Sequence, residues 1–169
     1  MEKSITTKTY NNLLNRIAEI LNQAKTKVVR EINRAQVLAY WEIGREIVEF
    51  EQKGKARALY GEKLLKKLSA DLSAKFGRGF SERNLEQMRK FYLTYSEKSQ
   101  TLFAKSLMDQ TSSVQFEPRL SWSHYCELLK VEELLARSFY EQEVIQNNWS
   151  VRELKRQRSF PRKWESRLL

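Results

Sequence analysis

Apolar residues recur every three or four positions over most of the first 50 residues of the chain. This spacing places side chains on one face of a helix, and Gly44 is the only glycine in the segment. The pattern predicts one helix of about 35–40 residues, long enough to span a bundle or to enter a coiled coil. Its apolar positions are Leu13, Ile17, Ile20, Ala24, Val28, Ile32, Tyr40, Trp41, Gly44, Ile47 and Val48.

A second and a third helix follow, separated by a tight turn. The second carries an apolar stripe formed by Leu64, Leu65, Leu68, Leu72 and Phe76. Gly77-Arg78-Gly79 then breaks the pattern. Ser81 is predicted to cap the third helix, and Phe80 and Leu85 have the spacing of a hydrophobic staple. On the third helix we expect four side chains to face inward, with Phe91 at the edge: Leu85, Met88, Tyr92 and Tyr95.

The second half of the chain is predicted to be helical after a less regular stretch. Residues 97–119 show a weak pattern with one short helix over 101–108. Further helices are predicted around residues 122–129 and 131–145. Ser150 and Glu153 match a capping box, which predicts a last helix beginning at Val151. The fold class is therefore all-α, with a long N-terminal helix and several shorter helices packed across it.

Composition supports a helical, basic, cytoplasmic protein. The 169 residues include five glycines and two prolines, too few for the frequent turns of a sandwich or barrel. A single cysteine excludes a disulfide framework. No window approaches the roughly 20 apolar residues of a membrane span, so we expect no membrane partner.

The net charge of +10 is unevenly distributed. Residues 53–90 hold eleven Lys and Arg against four acids, and residues 152–163 hold six against one. Clustered basic charge on a protein indicates a polyanionic partner, with nucleic acid first. The alternative is an ordinary solvated surface, since helical proteins carry many lysines.

Two candidate nucleic-acid contact surfaces follow from these clusters. The second and third helices have the outline of a helix-turn-helix unit, in which Arg83, Gln87 and Lys90 point away from the core and Arg78 lies in the turn. These are side chains that contact base edges or phosphates. On the last helix, Arg152, Lys155 and Arg156 share one face. A plain helical corner with a polar outer face explains the first pattern equally well.

The chain carries no recognisable catalytic motif. His124 and Cys126 are two residues apart, so on a helix they point in different directions. Asp71 and Asp109 are the only aspartates, whereas a magnesium-dependent nuclease needs several carboxylates around its metal. We therefore expect no catalytic residue, no metal site, no cofactor and no small-molecule substrate.

An ordered series of motifs resembles one known family. It runs through Tyr40-Trp41, Tyr60-Gly61, Phe76-Gly77-Arg78-Gly79-Phe80-Ser81, Leu120-Ser121-Trp122-Ser123-His124-Tyr125, Arg137-Ser138-Phe139-Tyr140 and Trp149-Ser150-Val151-Arg152-Glu153-Leu154. Together these motifs, over about residues 13–158, are similar to the YhcG-like family of bacterial proteins. In that family a helical N-terminal domain precedes a PD-(D/E)xK nuclease-like domain. The resemblance implies a domain that recognises or positions DNA, or a partner, and it carries no catalytic residue over to this chain.

The last residues do not resemble that family. We expect residues 1–158 to form the helical domain and residues 159–169 to form a separate basic tail. Phe160-Pro161 and Trp164-Glu165-Ser166 can be encoded by reverse-complementary strings. Our hypothesis is that the tail is a translated inverted-repeat element that truncated the gene, which the genomic DNA can test. The alternative is an ordinary basic C-terminus.

The leading prediction is a non-catalytic module that binds or targets duplex or branched DNA. It would act with a separate nuclease chain or as a homo-oligomer. The alternative is a helical protein–protein interaction module without specific DNA binding. In that alternative the long helix dimerises or docks a partner, and Tyr40 and Trp41 are the critical residues.

Overall fold

The computed structural model describes residues 7–52, 61–106 and 116–159 of the chain. Six helices make up this described part, and it contains no strand: α1 (Thr7–Gln52), α2 (Gly61–Phe76), α3 (Glu82–Ser106), α4 (Trp122–Leu128), α5 (Leu134–Asn147) and α6 (Val151–Arg158). The all-α prediction, with a long first helix and shorter helices packed against it, is confirmed. None of these helices is both long enough and apolar enough to cross a membrane.

Helix α1 is one uninterrupted helix of 46 residues, longer than its apolar pattern predicts. Within the described part of the chain, all its buried side chains lie in its C-terminal part. Val37, Ile47 and Val48 are buried there, and Gly44 lies directly against α3. A β-carbon at Gly44 would collide with the main-chain carbonyl of Met88, so the absence of a side chain allows the two helices to cross closely.

Helix α3 differs from its prediction in two respects. It continues to Ser106, through residues that the sequence pattern presents as irregular. Phe91 is fully buried rather than at the edge of the helix. Its ring lies about 5 Å from those of Tyr95, Phe116, Trp122 and Tyr125. The prediction placed Phe91 at the edge because the covering rings of α4 and residue 116 lie far away in the sequence.

Two buried clusters fill the body of the protein. The larger joins α1, α3, α4, α5 and α6 around Phe91, Tyr125 and Leu154. The smaller joins α1, α2 and α3 around Ile47, Leu85 and Met88. Buried Arg137 closes the turn before α5 by donating to the main-chain carbonyls of Val131 and Glu132. These clusters place the turn before α3 and the N-terminus of α6 at the protein surface.

Candidate nucleic-acid interface

The turn between α2 and α3 presents Arg78 to solvent. Gly77 and Gly79 flank it with φ values of 81° and 115°, a backbone region that favours glycine. The Ser81 hydroxyl accepts a hydrogen bond from the Asn84 main-chain N–H at 3.3 Å, so the predicted cap of α3 is present. The Asn84 side chain also donates to the carbonyl of Gly79. These bonds give the turn that carries Arg78 a defined conformation.

The outer face of α3 is only partly free. Arg83 and Lys90 are exposed, as expected. Gln87 is half-buried, and its side-chain oxygen lies 3.2 Å from the Cys126 sulfur on α4. The prediction that Gln87 lies on a free outer face of α3 is therefore corrected, because α4 packs over this part of the helix. Trp122 of α4 also donates to the Asn84 side chain at 2.9 Å.

Helix α6 begins with the predicted capping box. The Ser150 hydroxyl accepts from the Glu153 N–H, and the Glu153 carboxylate accepts from the Ser150 N–H at 2.7 Å. The Ser150 main-chain and hydroxyl hydrogen bonds lower the pKa of Glu153 below its ordinary value. Because Leu154 on the opposite side is fully buried, the helix is oriented with Arg152, Lys155 and Arg156 exposed.

Helix α4 lies between the basic residues of α3 and those of α6. Glu127 on α4 forms ion pairs with Lys130 and with Arg158 of α6, the latter at 3.3 Å. Burial raises the pKa of Glu127, but the hydrogen bond and charge of Lys130, with the charges of Arg158 and Lys155, outweigh it and lower the pKa. The carboxylate thus offsets part of the positive charge where α4 and α6 meet.

The neighbouring Cys126 connects this site to α3. Burial raises the pKa of its thiol to about 11, and the charges of Lys130 and Arg83 only partly oppose that shift. Cys126 is therefore protonated at neutral pH and unsuited to act as a nucleophile. Gln87, one turn after Arg83 on α3, contacts the Cys126 sulfur at 3.2 Å, so Arg83 lies next to the part of α3 that α4 covers. Lys130 and Arg158 border α4 through their ion pairs with Glu127.

Both ring nitrogens of His124 lie within hydrogen-bond distance of a neighbouring group. Its Nδ1 lies 2.8 Å from the Ser121 hydroxyl, and its Nε2 lies 3.0 Å from the carbonyl oxygen of Trp149. The ring thereby links the start of α4 to the turn before α6. Among the residues that the structure describes, no group of three or more His, Cys, Asp or Glu side chains is arranged to hold a metal ion.

Tyr40 and Trp41, the predicted interaction residues, make contacts inside the protein. Tyr40 packs edge-on against Trp122 with ring centroids 4.9 Å apart. Trp41 packs edge-on against Tyr92 at 4.9 Å and stacks on Phe116. The structure therefore assigns both rings to the attachment of α1 to the body, and their role toward a partner stays a prediction.

A third basic surface is absent from the sequence-based predictions. Arg30, Arg34 and Arg119 line a cleft of about 520 Å³ between α1, residues 118–121, α4 and α5. Arg34 forms an ion pair with Glu117 at 3.2 Å, and Glu31 also lines the cleft, so two carboxylates reduce its positive charge. Charge counting along the chain misses this cleft because nearly 90 residues separate Arg30 from Arg119.

Comparison with known proteins gives two matches. The family model described as the DUF1016 N-terminal domain matches residues 16–160. A curated protein of Escherichia coli (strain K12), named "Putative nuclease YhcG", is 42% identical over 169 aligned residues. The alignment covers 90% of this chain and 45% of the relative, so the chain spans about half of that protein's length. No solved structure matches this chain.

Proposed function

Because the chain belongs to the DUF1016 N-terminal domain family, we propose that it is a non-catalytic DNA-binding or targeting domain of a nuclease-like protein. The name of the Escherichia coli relative supports nucleic acid as the class of substrate. In this proposal the helical domain comprises residues 1–158, and residues 159–169 form a basic tail outside it. The family match covers residues 16–160 and thus ends close to the proposed boundary.

The observation that carries this proposal is the arrangement of basic side chains around α4. Arg83 and Lys90 on α3 and Arg152, Lys155 and Arg156 on α6 are all exposed. Gln87, one turn after Arg83, contacts Cys126 of α4, and Arg158, one turn after Lys155, pairs with Glu127 of α4. In this proposal a phosphate backbone that follows α4 meets the basic residues of both helices, with Arg78 at the preceding turn. Gln87 would contact DNA only from the edge of this surface, because its side-chain oxygen already accepts a hydrogen bond from the Cys126 thiol.

Fluorescence anisotropy over a salt series tests this function. Labelled linear duplex, single-stranded and four-way-junction DNA are compared at equal length. Each phosphate neutralised by a lysine or arginine contributes about 0.9 to the slope of log K against log salt for duplex DNA. Lys155→Gln, Arg156→Gln and Arg83→Gln should therefore each flatten the slope by about one.

Lys8→Gln is the matched control, since it removes the same charge from the exposed start of α1, far from α4. Its slope should equal that of the unmodified chain. If the three site variants behave like Lys8→Gln, the assigned surface is wrong. If all three DNA forms bind equally and only at low salt, the basic surface is non-specific.

The second candidate function is a protein–protein interaction module. The observation that favours it is a row of exposed apolar side chains on the N-terminal half of α1, which includes Leu13, Ile17 and Ile20. Tyr40 and Trp41, the interaction residues of the sequence-based prediction, pack against Trp122 and Tyr92 and remain partly exposed. DNA binding that disappears near physiological salt, together with a stable complex through α1, would favour this function over the first.

A further inference from the structure

Residues 8–32 of α1, here called the arm, carry an uncovered apolar stripe. Every one of these residues is exposed, and the side chains of the stripe have relative exposures of 46–64%. At about 100° per residue they fall within a sector about 120° wide. The stripe consists of Tyr10, Leu13, Leu14, Ile17, Ile20, Leu21, Val28 and Ile32.

The opposite side of the arm is polar. It presents Asn15, Glu19, Asn22, Gln23, Thr26 and Arg30. Separation of apolar and polar residues on two faces is typical of a helix that packs on one side. Most helical stability in proteins comes from packing of an apolar face rather than from helix propensity. An arm with this pattern therefore indicates a partner surface.

A complementary surface lies at the other end of α1. The C-terminal part of α1 and helix α2 form an apolar groove of about 520 Å³, here called the acidic groove. Its apolar lining is Ile43, Ile47, Phe50, Leu64, Leu68 and Leu72. Glu42, Glu46 and Glu49 also line it. Arg45 pairs with these three carboxylates at 2.7–3.7 Å. Among the described residues, the lining of the groove holds three glutamates and no lysine or arginine.

The stripe and the three glutamates of the acidic groove occupy the same side of α1, and the apolar lining of the groove lies beside these glutamates. Between them the exposed positions continue at helical spacing through Ile32, Ala35, Ala39, Glu42 and Glu46. The two alanines in the middle are small enough to let another helix approach closely. One continuous face of α1 therefore runs from a basic apolar end to an acidic apolar end.

We propose that a second copy of this chain covers this face, with the two α1 helices antiparallel and each arm seated in the acidic groove of the other copy. The stripe is centred near residue 21 and the groove near residue 46, about 37 Å apart along the helix. A two-fold axis midway, near residues 33 and 34, aligns both arms with both grooves. This symmetry closes the assembly at a dimer, because each copy contributes the same surface.

Charge favours this pairing over contact between the two arms. At about 100° per residue, Lys25 and Lys27 flank the stripe and Glu31 falls within its sector, so two arms placed together would bring more positive than negative charge to their contact. In the antiparallel arrangement, Lys25 of one copy lies opposite Glu42 of the other. This pair of opposite charges favours the antiparallel arrangement over arm-to-arm contact.

Cysteine cross-linking distinguishes the possible pairings. Position 35 lies close to the two-fold axis, so an Ala35→Cys chain should form a covalent dimer with a short bismaleimide. Position 21 lies about 37 Å from its counterpart in this arrangement, so Leu21→Cys should not cross-link to itself. The unmodified chain, with its half-buried Cys126, measures the background. Efficient linkage at position 21 would indicate arm-to-arm contact and overturn the proposal.

Sedimentation equilibrium measures the association itself. Ile17→Asp places a charge in the stripe without touching the body, and it should weaken dimerisation at least about tenfold, or about 1.4 kcal/mol. Gln23→Asp, on the polar face, is the matched control and should leave the dimer intact. An unmodified chain that stays monomeric, or an Ile17→Asp chain that dimerises like the control, would contradict the proposal. Circular dichroism confirms that both variants are folded.

Discussion

The two ends of α1 have the same apolar periodicity and opposite surroundings. Near its C-terminal end, Val37, Ile47 and Val48 are 0–5% exposed because α3 and its neighbours cover them. In the arm, Ile17 and Ile20 remain 46% and 64% exposed on the same continuous helix. Periodicity thus reports that a face requires a partner, but it does not say whether that partner belongs to the same chain.

The largest expected difference between these regions concerns the removal of a large side chain. Phe91→Ala deletes a fully buried ring that contacts four other aromatic rings, and it should lower the free energy of unfolding by about 3–5 kcal/mol. Ile17→Ala in the arm should change the unfolding of the dilute monomer by less than about 0.5 kcal/mol. Urea denaturation of both variants measures the contrast, and equal losses would mean that the arm packs against its own body.

A smaller difference concerns helix propensity. Alanine favours a helix over glycine by about 1 kcal/mol, yet Gly44→Ala should destabilise the protein by about 1–3 kcal/mol because the new methyl group meets the Met88 carbonyl. In the arm, Asn22→Ala meets no neighbouring helix and should increase helix stability by a few tenths of a kcal/mol. Thermal unfolding, monitored by circular dichroism, measures whether each substitution lowers or raises the melting temperature. A stabilised Gly44→Ala chain would mean that α1 and α3 can separate.

Hydroxyl groups provide a third contrast. Ser150→Ala removes the cap of α6 in the body and should cost about 1 kcal/mol. Thr26→Ala in the arm removes only a hydroxyl that donates to the carbonyl of Asn22 one turn earlier, and it should be neutral or slightly stabilising. Urea midpoints measure both changes. If Ser150→Ala leaves the urea midpoint unchanged, the stability of α6 depends on the burial of Leu154 and not on the cap.

The smallest expected effect is a pH dependence of the same cap. The folded-state pKa of Glu153 is lowered, so its contribution to stability is fully present above the pKa of an unfolded glutamate, about 4.3. That contribution is lost as the pH falls through the lower, folded-state pKa. Unfolding curves of the unmodified chain and Glu153→Gln between about pH 6 and pH 3 should therefore converge in the acid range. Parallel curves throughout would contradict this role.

Local signals predicted the helices well. The capping box at Ser150, the cap at Ser81 and the glycine turn around Arg78 all depend on residues within one turn of each other. Because these contacts involve residues close together in the sequence, the starts of α3 and α6 could be predicted from the sequence alone. The continuation of α3 to Ser106 was missed because residues 97–106 lack a regular apolar pattern.

Side-chain surroundings required the tertiary structure. The exposed orientation of Arg83, Arg152, Lys155 and Arg156 follows from helical periodicity and agrees with the structure. The contact of Gln87 with Cys126 does not, because the two residues are 39 positions apart in the sequence. The DNA-binding roles of all these residues stay predictions that the salt series tests. The inverted-repeat hypothesis concerns residues 160–169, which lie outside the described part of the chain.

The sequence by itself determined the helical class, the basic charge clusters and the family, since composition, periodicity and ordered motifs are properties of the chain alone. Only the tertiary structure decided which apolar faces are covered. It packed Tyr40 against α4 and Trp41 against α3, left the arm stripe exposed, and placed α4 in contact with both α3 and α6. The physical reason is that burial depends on contacts between distant segments, whereas periodicity records only the side of a helix on which a contact is needed.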